Sequence, residues 1–218
     1  MLYLNPHCLS VPIEYVVRLE PSFPPSKRVW RFELITDASP EMACAALKCT
    51  ESGRVVKWTN LTFPFANSTF QNVREYLGLL LGLVLANAVA KVDRVDEVRR
   101  QAIRWVGDNT SALAWAETDK AASKSGQMAN VAVIWAQLYG KCSVDSTEHL
   151  VGAQMGDIDG ATRHKVLTSL HQKDFVNVTT IPGVIKLFHA CDPSACEALR
   201  PHHEIFIAVH GYLQEIFE

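Results

Sequence analysis

The stretch 103–115 runs from a short, β-favouring apolar piece, Ile103 to Val106, into Asp108-Asn109-Thr110-Ser111 and then Ala112-Leu113-Ala114-Trp115. Asp, Asn, Thr and Ser cap helix N-termini, so the spacing predicts a strand that stops at an acid and turns at once into a helix. Open α/β sheets carry their chemistry at such strand tips, which makes Asp108 a site candidate; the competing reading is a plain N-cap. Three further acids sit at comparable points. Asp37 closes the run Val29 to Asp37, which alternates and then turns wholly apolar, as a strand does. Glu75 lies one turn into a long apolar helix, where the plainer role is a partner for the helix dipole. Asp159 stands in Gly156-Asp157-Ile158-Asp159, at the start of another helix rich in N-terminal acids. Four carboxylates brought together cannot all stay ionised and unpaired, and hard divalent cations are the usual remedy. Oxygen-only ligands favour Mg²⁺ or Mn²⁺ over zinc. Two such ions about 3.5–4 Å apart would activate a water and stabilise the leaving oxygen of a phosphodiester.

The elements that must position these acids follow in order. Residues 1–28 hold Pro6, Pro12, Pro21, Pro24 and Pro25 around a short amphipathic piece, Ile13 to Leu19, and read as a linker arm. After the strand ending at Asp37 and a Ser39-Pro40 turn, Met42 to Cys49 and Arg54 to Leu61 form two β-rich runs joined by Glu51-Ser52-Gly53, a hairpin signal. Ser68-Thr69-Phe70-Gln71 offers a capping box, and Gln71 to about Lys91 is a helix whose apolar positions nearly encircle it. The connector from Lys91 carries Arg94, Arg99, Arg100 and Arg104, a basic run just before the strand that ends at Asp108. Arginines on a connector are more often a solvated face than a binding patch. Helices are expected at Thr110 to Glu117 and Gly126 to Tyr139, a last short strand at Ser146 to Gly152, and a helix from Gly156. The order predicts an α/β fold: a mixed five-stranded sheet, three antiparallel strands then parallel ones, flanked by helices.

Composition bounds the rest. The chain has 218 residues, 48% apolar and 20% charged, enough for one full core plus an extension. Its longest apolar stretch, Leu77 to Val89, is too short to span a bilayer and lacks signal-peptide flanks, so an intracellular protein without a membrane partner is expected. Six scattered cysteines suit free thiols in a reducing compartment. The sequons at Asn60, Asn67, Asn109 and Asn177 carry no weight without a secretory signal. A net charge of −2 argues against holding nucleic acid by bulk electrostatics; a local basic face or metal ions would be needed.

With these motifs in place the chain resembles the ribonuclease H domains attached to retroelement reverse transcriptases. Thr36-Asp37-Ala38-Ser39 resembles that family's first-acid motif, and Arg74-Glu75-Tyr76-Leu77-Gly78 its helix glutamate with a small residue three on. Asp108-Asn109-Thr110-Ser111-Ala112 is similar to the version in tyrosine-recombinase (DIRS-like) elements. His149 through Gly152 to Asp159 and Arg163 is similar to their closing motif of a His, a Gly three on and an Asp ten on. The likeness covers roughly residues 29–165, a ribonuclease H-like domain, with 1–28 as the arm and 166–218 as a helical C-terminal extension. It implies that Asp37, Glu75, Asp108 and Asp159 hold two Mg²⁺ ions, with Mn²⁺ as a substitute. It also implies that His149 handles protons or product release; a half-exposed strand histidine is the competing reading. Asp157 competes with Asp159 for the fourth position, and the spacing from His149 favours Asp159. Ser39 and Asn109 would touch the RNA backbone or its 2′-hydroxyls.

The implied activity is hydrolysis of the RNA strand of an RNA–DNA hybrid, with a reverse transcriptase polymerase domain in the same polyprotein as a further partner. Two rivals share the fold: a scaffold or nucleic-acid-binding module without turnover, and a DNA nuclease or transposase-like enzyme. Met42 and Cys44 stand where the family places glycines, and Met155 where it has Asn, so substrate contacts depart from the pattern. In the extension, Thr179-Thr180-Ile181-Pro182 opens a helix through Phe188, and another runs from His202 or His203 to Phe217. His189, Cys191, Cys196, His202 and His203 allow a zinc site at loose spacing; a helical hairpin with free thiols is preferred.

Overall fold

A computed structural model describes residues 31–65, 70–93, 102–121, 123–193 and 202–218. The expected arm at 1–28, the Ser68-Thr69 half of the capping box, Arg94, Arg99, Arg100 and Cys196 lie outside the described residues, as do the side chains of His202 and His203.

The sheet is the one the element order predicts. Strands β1 (Phe32–Ala38), β2 (Met42–Cys49) and β3 (Val55–Thr62) form an antiparallel meander. Helix α1 (Gln71–Asp93) crosses over to β4 (Ala102–Gly107), which pairs parallel with β1. Helices α2 (Thr110–Thr118) and α3 (Lys124–Gly140) then lead to β5 (Ser143–His149), parallel to β4, giving the order β3-β2-β1-β4-β5. The last strand lies three residues earlier at each end than its apolar signal suggested. Val151 is outside it, and Gly152–Gln154 form a 3₁₀ turn.

Strand alternation sorts the core into two layers. Ala43, Ala45 and Leu47 of β2 face the main core with α1, α2 and α3, whereas Cys44 and Ala46 face a smaller cluster closed by α4 (Asp157–Thr162) through Ile158 and Ala161. On that second face Lys48, Glu33, Arg104 and Glu148 form a charged ladder across β2, β1, β4 and β5. Opposite charges on neighbouring strands support the pairing they sit on.

Helix α1 is buried almost throughout, which its nearly all-round apolar pattern requires. By length and composition Gln71–Lys91 could cross a membrane, contrary to the expectation from the shorter run 77–89, yet its whole apolar window is buried inside the fold.

The chain after α4 passes from one face of the sheet to the other around the β3 edge. Trp58 of β3 donates its indole N–H to the His171 carbonyl at 2.9 Å and accepts Val176 N–H at 2.8 Å on its own carbonyl, so this segment occupies part of an otherwise open edge. Leu170 belongs to the smaller cluster, and Val178, Val184, Leu187 and Phe188 belong to the main one. Helix α5 (Val184–Ala190) begins later than the Ile181-Pro182 signal suggested. Gly183, at φ +84°, turns the chain between them, a conformation that side chains with a Cβ disfavour. Helix α6 (His202–Phe217) packs Val209, Leu213, Ile216 and Phe217 into the same core, and its Ile216 carbonyl accepts from Asn87 and Lys91 of α1.

Candidate metal centre

Three acids predicted to share a site do share it. Asp37 is the next-to-last residue of β1, Asp108 follows the last residue of β4, and these neighbouring parallel strands end side by side. Glu75 arrives from α1, which lies directly on β1. A Cβ on Gly78 would stand 3.3 Å from Thr36 Oγ1, and one on Gly82 would stand 2.5 Å from the Leu34 side chain. The two glycines let the helix backbone settle onto the strand and carry Glu75 to its tip. One carboxylate oxygen from each of Asp37, Glu75 and Asp108 lies within 4.8 Å of the others.

Asp108 is not the N-cap of α2. Asn109 takes that role, with extended backbone and its Oδ1 accepting the Ala112 N–H at 3.0 Å. Glu75 is not a first-turn dipole partner either, being the fifth residue of α1.

The cluster is electrostatically unfavourable in the absence of a cation. Burial above all, and then the charges of Asp37 and Asp108, push the Glu75 carboxyl up to about 9. Burial also raises Asp37; the Thr162 hydroxyl, which donates to Asp37 Oδ2, works against this, while Asp108 and Asp159 add to it. Gln71 bridges the rim, its Nε2 donating to the Ala38 carbonyl at 2.6 Å and to Glu75 Oε1 at 2.7 Å. Oxygen donors at this separation, with too little positive charge among them, could hold a metal ion.

The fourth acid departs from expectation. Asp159 is outside the group of three, and its carboxylate is paired with Arg163 Nε at 2.5 Å and Lys165 Nζ at 3.1 Å. Burial alone would raise Asp159; the hydrogen bonds from Arg163 and Lys165 outweigh it and hold the carboxyl low. Asp159 nonetheless stands near enough to raise Asp37, so it borders the centre. Its competitor Asp157 is committed elsewhere. It accepts the backbone N–H groups of Thr168, Ser169 and Leu170, which more than offset burial and lower it to about 2.

The remaining sequence candidates divide. His149 ends β5, is exposed, and places Nε2 3.1 Å from the Asp108 carbonyl oxygen. Asn109 is half-buried at the mouth, with Nδ2 donating to Asn72 Oδ1 at 3.0 Å. Ser39 is buried and used locally, its Oγ accepting from the Glu41 and Met42 N–H groups, so the β1–β2 turn consumes it. Cys44 and Met155 pack together in the smaller core cluster, which accounts for apolar side chains at those positions. Cys191 is a buried free thiol, and the only metal-type group of His, Cys, Asp and Glu among the described residues is the acidic one.

The sequence reading gave no site role to Thr162 or Gln71, and it placed Arg163 in the closing motif without its pairing, or that of Lys165, with Asp159. Two of these had a signal: Gln71 is four residues before Glu75, and Arg163 is four after Asp159, the spacing at which helical side chains meet. Gly152 also gains a reason, since a Cβ there would lie 3.3 Å from Asp108 Oδ2. No protein-family model and no curated protein matches the sequence. The three carboxylates could hold a metal ion, beside a rim that carries the Arg163 and Lys165 side chains.

Proposed function

We propose that this chain is a metal-dependent endoribonuclease of the ribonuclease H type, hydrolysing the RNA strand of an RNA–DNA hybrid and derived from a retroelement reverse transcriptase. The observation that carries the reading is the convergence of Asp37, Glu75 and Asp108 within 4.8 Å, drawn from the first strand, the crossover helix and the fourth strand of a β3-β2-β1-β4-β5 sheet. Fold alone would not carry it, because one fold hosts many chemistries. Acids on those elements in that order are what the resemblance to the family implies, and this is the support it receives.

Asp37, Glu75 and Asp108 would hold Mg²⁺ or Mn²⁺, and Asp159 would complete a second position. When bound, such ions supply a water of lowered pKa and stabilise the departing 3′-oxygen. The chain's own residues prepare the place. Thr162 fixes one oxygen of Asp37, and Gln71 orients Glu75 against the end of β1. His149, exposed at the end of β5 with Nε2 near the Asp108 carbonyl, would take the role the resemblance implies, proton handling or product release. The hybrid would be read through its shape and 2′-hydroxyls rather than its bases.

The test is cleavage of an end-labelled RNA–DNA hybrid in Mg²⁺ or Mn²⁺, with duplex DNA and duplex RNA as competing substrates. Cleavage confined to the RNA strand of the hybrid, abolished in Asp108→Asn, is the expected result. Cleavage of duplex DNA instead would move the chain to another nuclease on this fold. One observation favours a second reading, a nucleic-acid-binding module without turnover: the fourth acid is already neutralised by Arg163 and Lys165. Tight hybrid binding with no cleavage in either metal would establish that reading.

A further inference from the structure

The ion pair that withdraws Asp159 is itself informative. Arg163 and Lys165 both come from the chain immediately after the acid, so the competition for its carboxylate is built into one short segment. The Arg163 side chain is 55% exposed and that of Lys165 is 60% exposed, whereas Asp159 is only 17% exposed. The cations therefore lie on the solvent side and the acid lies inward, toward Asp37. Thr162 ties this segment to the centre, since its hydroxyl reaches Asp37 Oδ2 and also stands 2.9 Å from the Asp159 carbonyl oxygen. Arg163 is close enough to act electrostatically on Asp37 and Asp108 as well as on Asp159.

We propose that Arg163, assisted by Lys165, is an internal counter-cation that occupies Asp159 until a nucleic-acid phosphate draws it away, so that the second cation position is closed in the free protein and opens on substrate binding. The inference rests on the metal-dependent reading above and adds an order of events to it. A guanidinium binds a carboxylate or a phosphate through the same planar fork, so exchange between them costs little geometry. The incoming phosphodiester offers Arg163 a solvent-facing partner, and Asp159 is released toward the three acids it borders. An arginine left in place would also repel a divalent ion arriving at Asp159.

The experiment is titration of the metal-free full chain with Mn²⁺ alone, followed by calorimetry and by the electron paramagnetic resonance signal of free Mn²⁺. Arg163→Gln, Arg163→Lys and Asp159→Asn are compared with the unaltered protein. The unaltered protein is expected to take one Mn²⁺ readily and a second weakly. Arg163→Gln is expected to tighten the second by roughly three- to tenfold, the range that an exposed ion pair and one removed like charge support. Arg163→Lys should resemble the unaltered protein. In an Asp159→Asn background, Arg163→Gln should have no effect on the second ion.

Equal isotherms for the unaltered protein and Arg163→Gln, with Mn²⁺ bound to both, would overturn the counter-cation role and leave the metal centre standing. No Mn²⁺ binding to any of the proteins would overturn both together. Because Arg163 is largely exposed, its replacement should leave the thermal transition unchanged, and circular dichroism of each variant checks that.

Discussion

Glu75→Gln tests the electrostatics of the centre most directly. The Glu75 side chain is almost wholly buried; burial first, and then Asp37 and Asp108, lift its carboxyl from 4.5 to about 9. Between those two values the folded protein keeps a proton that the unfolded chain has released. The unfolded state binds fewer protons, so the stability of the metal-free protein falls as pH rises through this window. The slope for one proton is about 1.4 kcal/mol per pH unit, which accumulates to as much as about 5 kcal/mol between pH 4.5 and pH 8. Asp37, raised by the same kind of burial, acts in the same direction. Glutamine has the shape of the protonated acid and keeps an oxygen for Gln71, but it carries no ionisation cost. In chelator, Glu75→Gln should match the unaltered protein at pH 4.5 and exceed it by several kcal/mol at pH 8, a rise in Tm of about 10 °C for a chain of this size. Excess Mg²⁺ should narrow the gap at pH 8, because the unaltered protein gains about 2.7 kcal/mol at a hundred times its Kd while the variant loses a ligand. Denaturation followed by circular dichroism from pH 4.5 to 8.5, with chelator and with Mg²⁺, reads both effects. Parallel pH profiles for the two proteins in chelator would refute the claim that Glu75 is held in an uncompensated acidic cluster.

Other positions separate packing from chemistry. Gly82→Ala gains helix propensity worth about 1 kcal/mol but places a Cβ 2.5 Å from Leu34; urea denaturation should show a net loss of about 1–3 kcal/mol as α1 is forced off β1. Asp157→Asn should cost about 1–2 kcal/mol at neutral pH by weakening the charged acceptor of three backbone N–H groups. Since Asp157 is depressed to about 2, that contribution is present above the ordinary value of 3.8 and is lost as pH falls from 3.8 toward 2, so the two proteins should converge in acid. Gly152→Ala should leave the thermal transition nearly unchanged but weaken Mn²⁺ binding measured by calorimetry, because its Cβ would stand 3.3 Å from Asp108 Oδ2.

Strands and their order were legible because the signals were local and redundant. Apolar runs ended at Asp37 and before Asp108, and the Glu51-Ser52-Gly53 turn marked the β2–β3 hairpin. The three clustered acids were legible for the same reason: each lies at the end of a strand or one turn into a helix, so its place follows from the element. Asp159 was read from the sequence as a fourth ligand, and its pairing was not legible. Its partners depend on where the 163–165 turn goes, including His164 at φ +55°. The course of residues 166–183 was not legible at all. That segment is held by the Trp58 indole and carbonyl and by single apolar anchors such as Leu170 and Val178, a pattern with no period to detect.

Each acid of the centre had an ordinary structural explanation, and the fold withdraws them one by one. Asn109 caps α2, so Asp108 is not needed there. Glu75 lies beyond the first turn of α1, where the dipole's field has faded. Asp37 is 1% exposed at a strand end where an apolar residue would pack without an ionisation cost. Burial raises both Asp37 and Glu75, and Gly78 and Gly82 let α1 approach β1 closely enough to bring Glu75 to Asp37 and Asp108. Local choices that oppose folding while agreeing with one another in space are what the proposed metal-dependent reading expects of its site. Arg163 is 55% exposed on an acid that Lys165 also pairs, and this is the point at which the proposed exchange of partners would act.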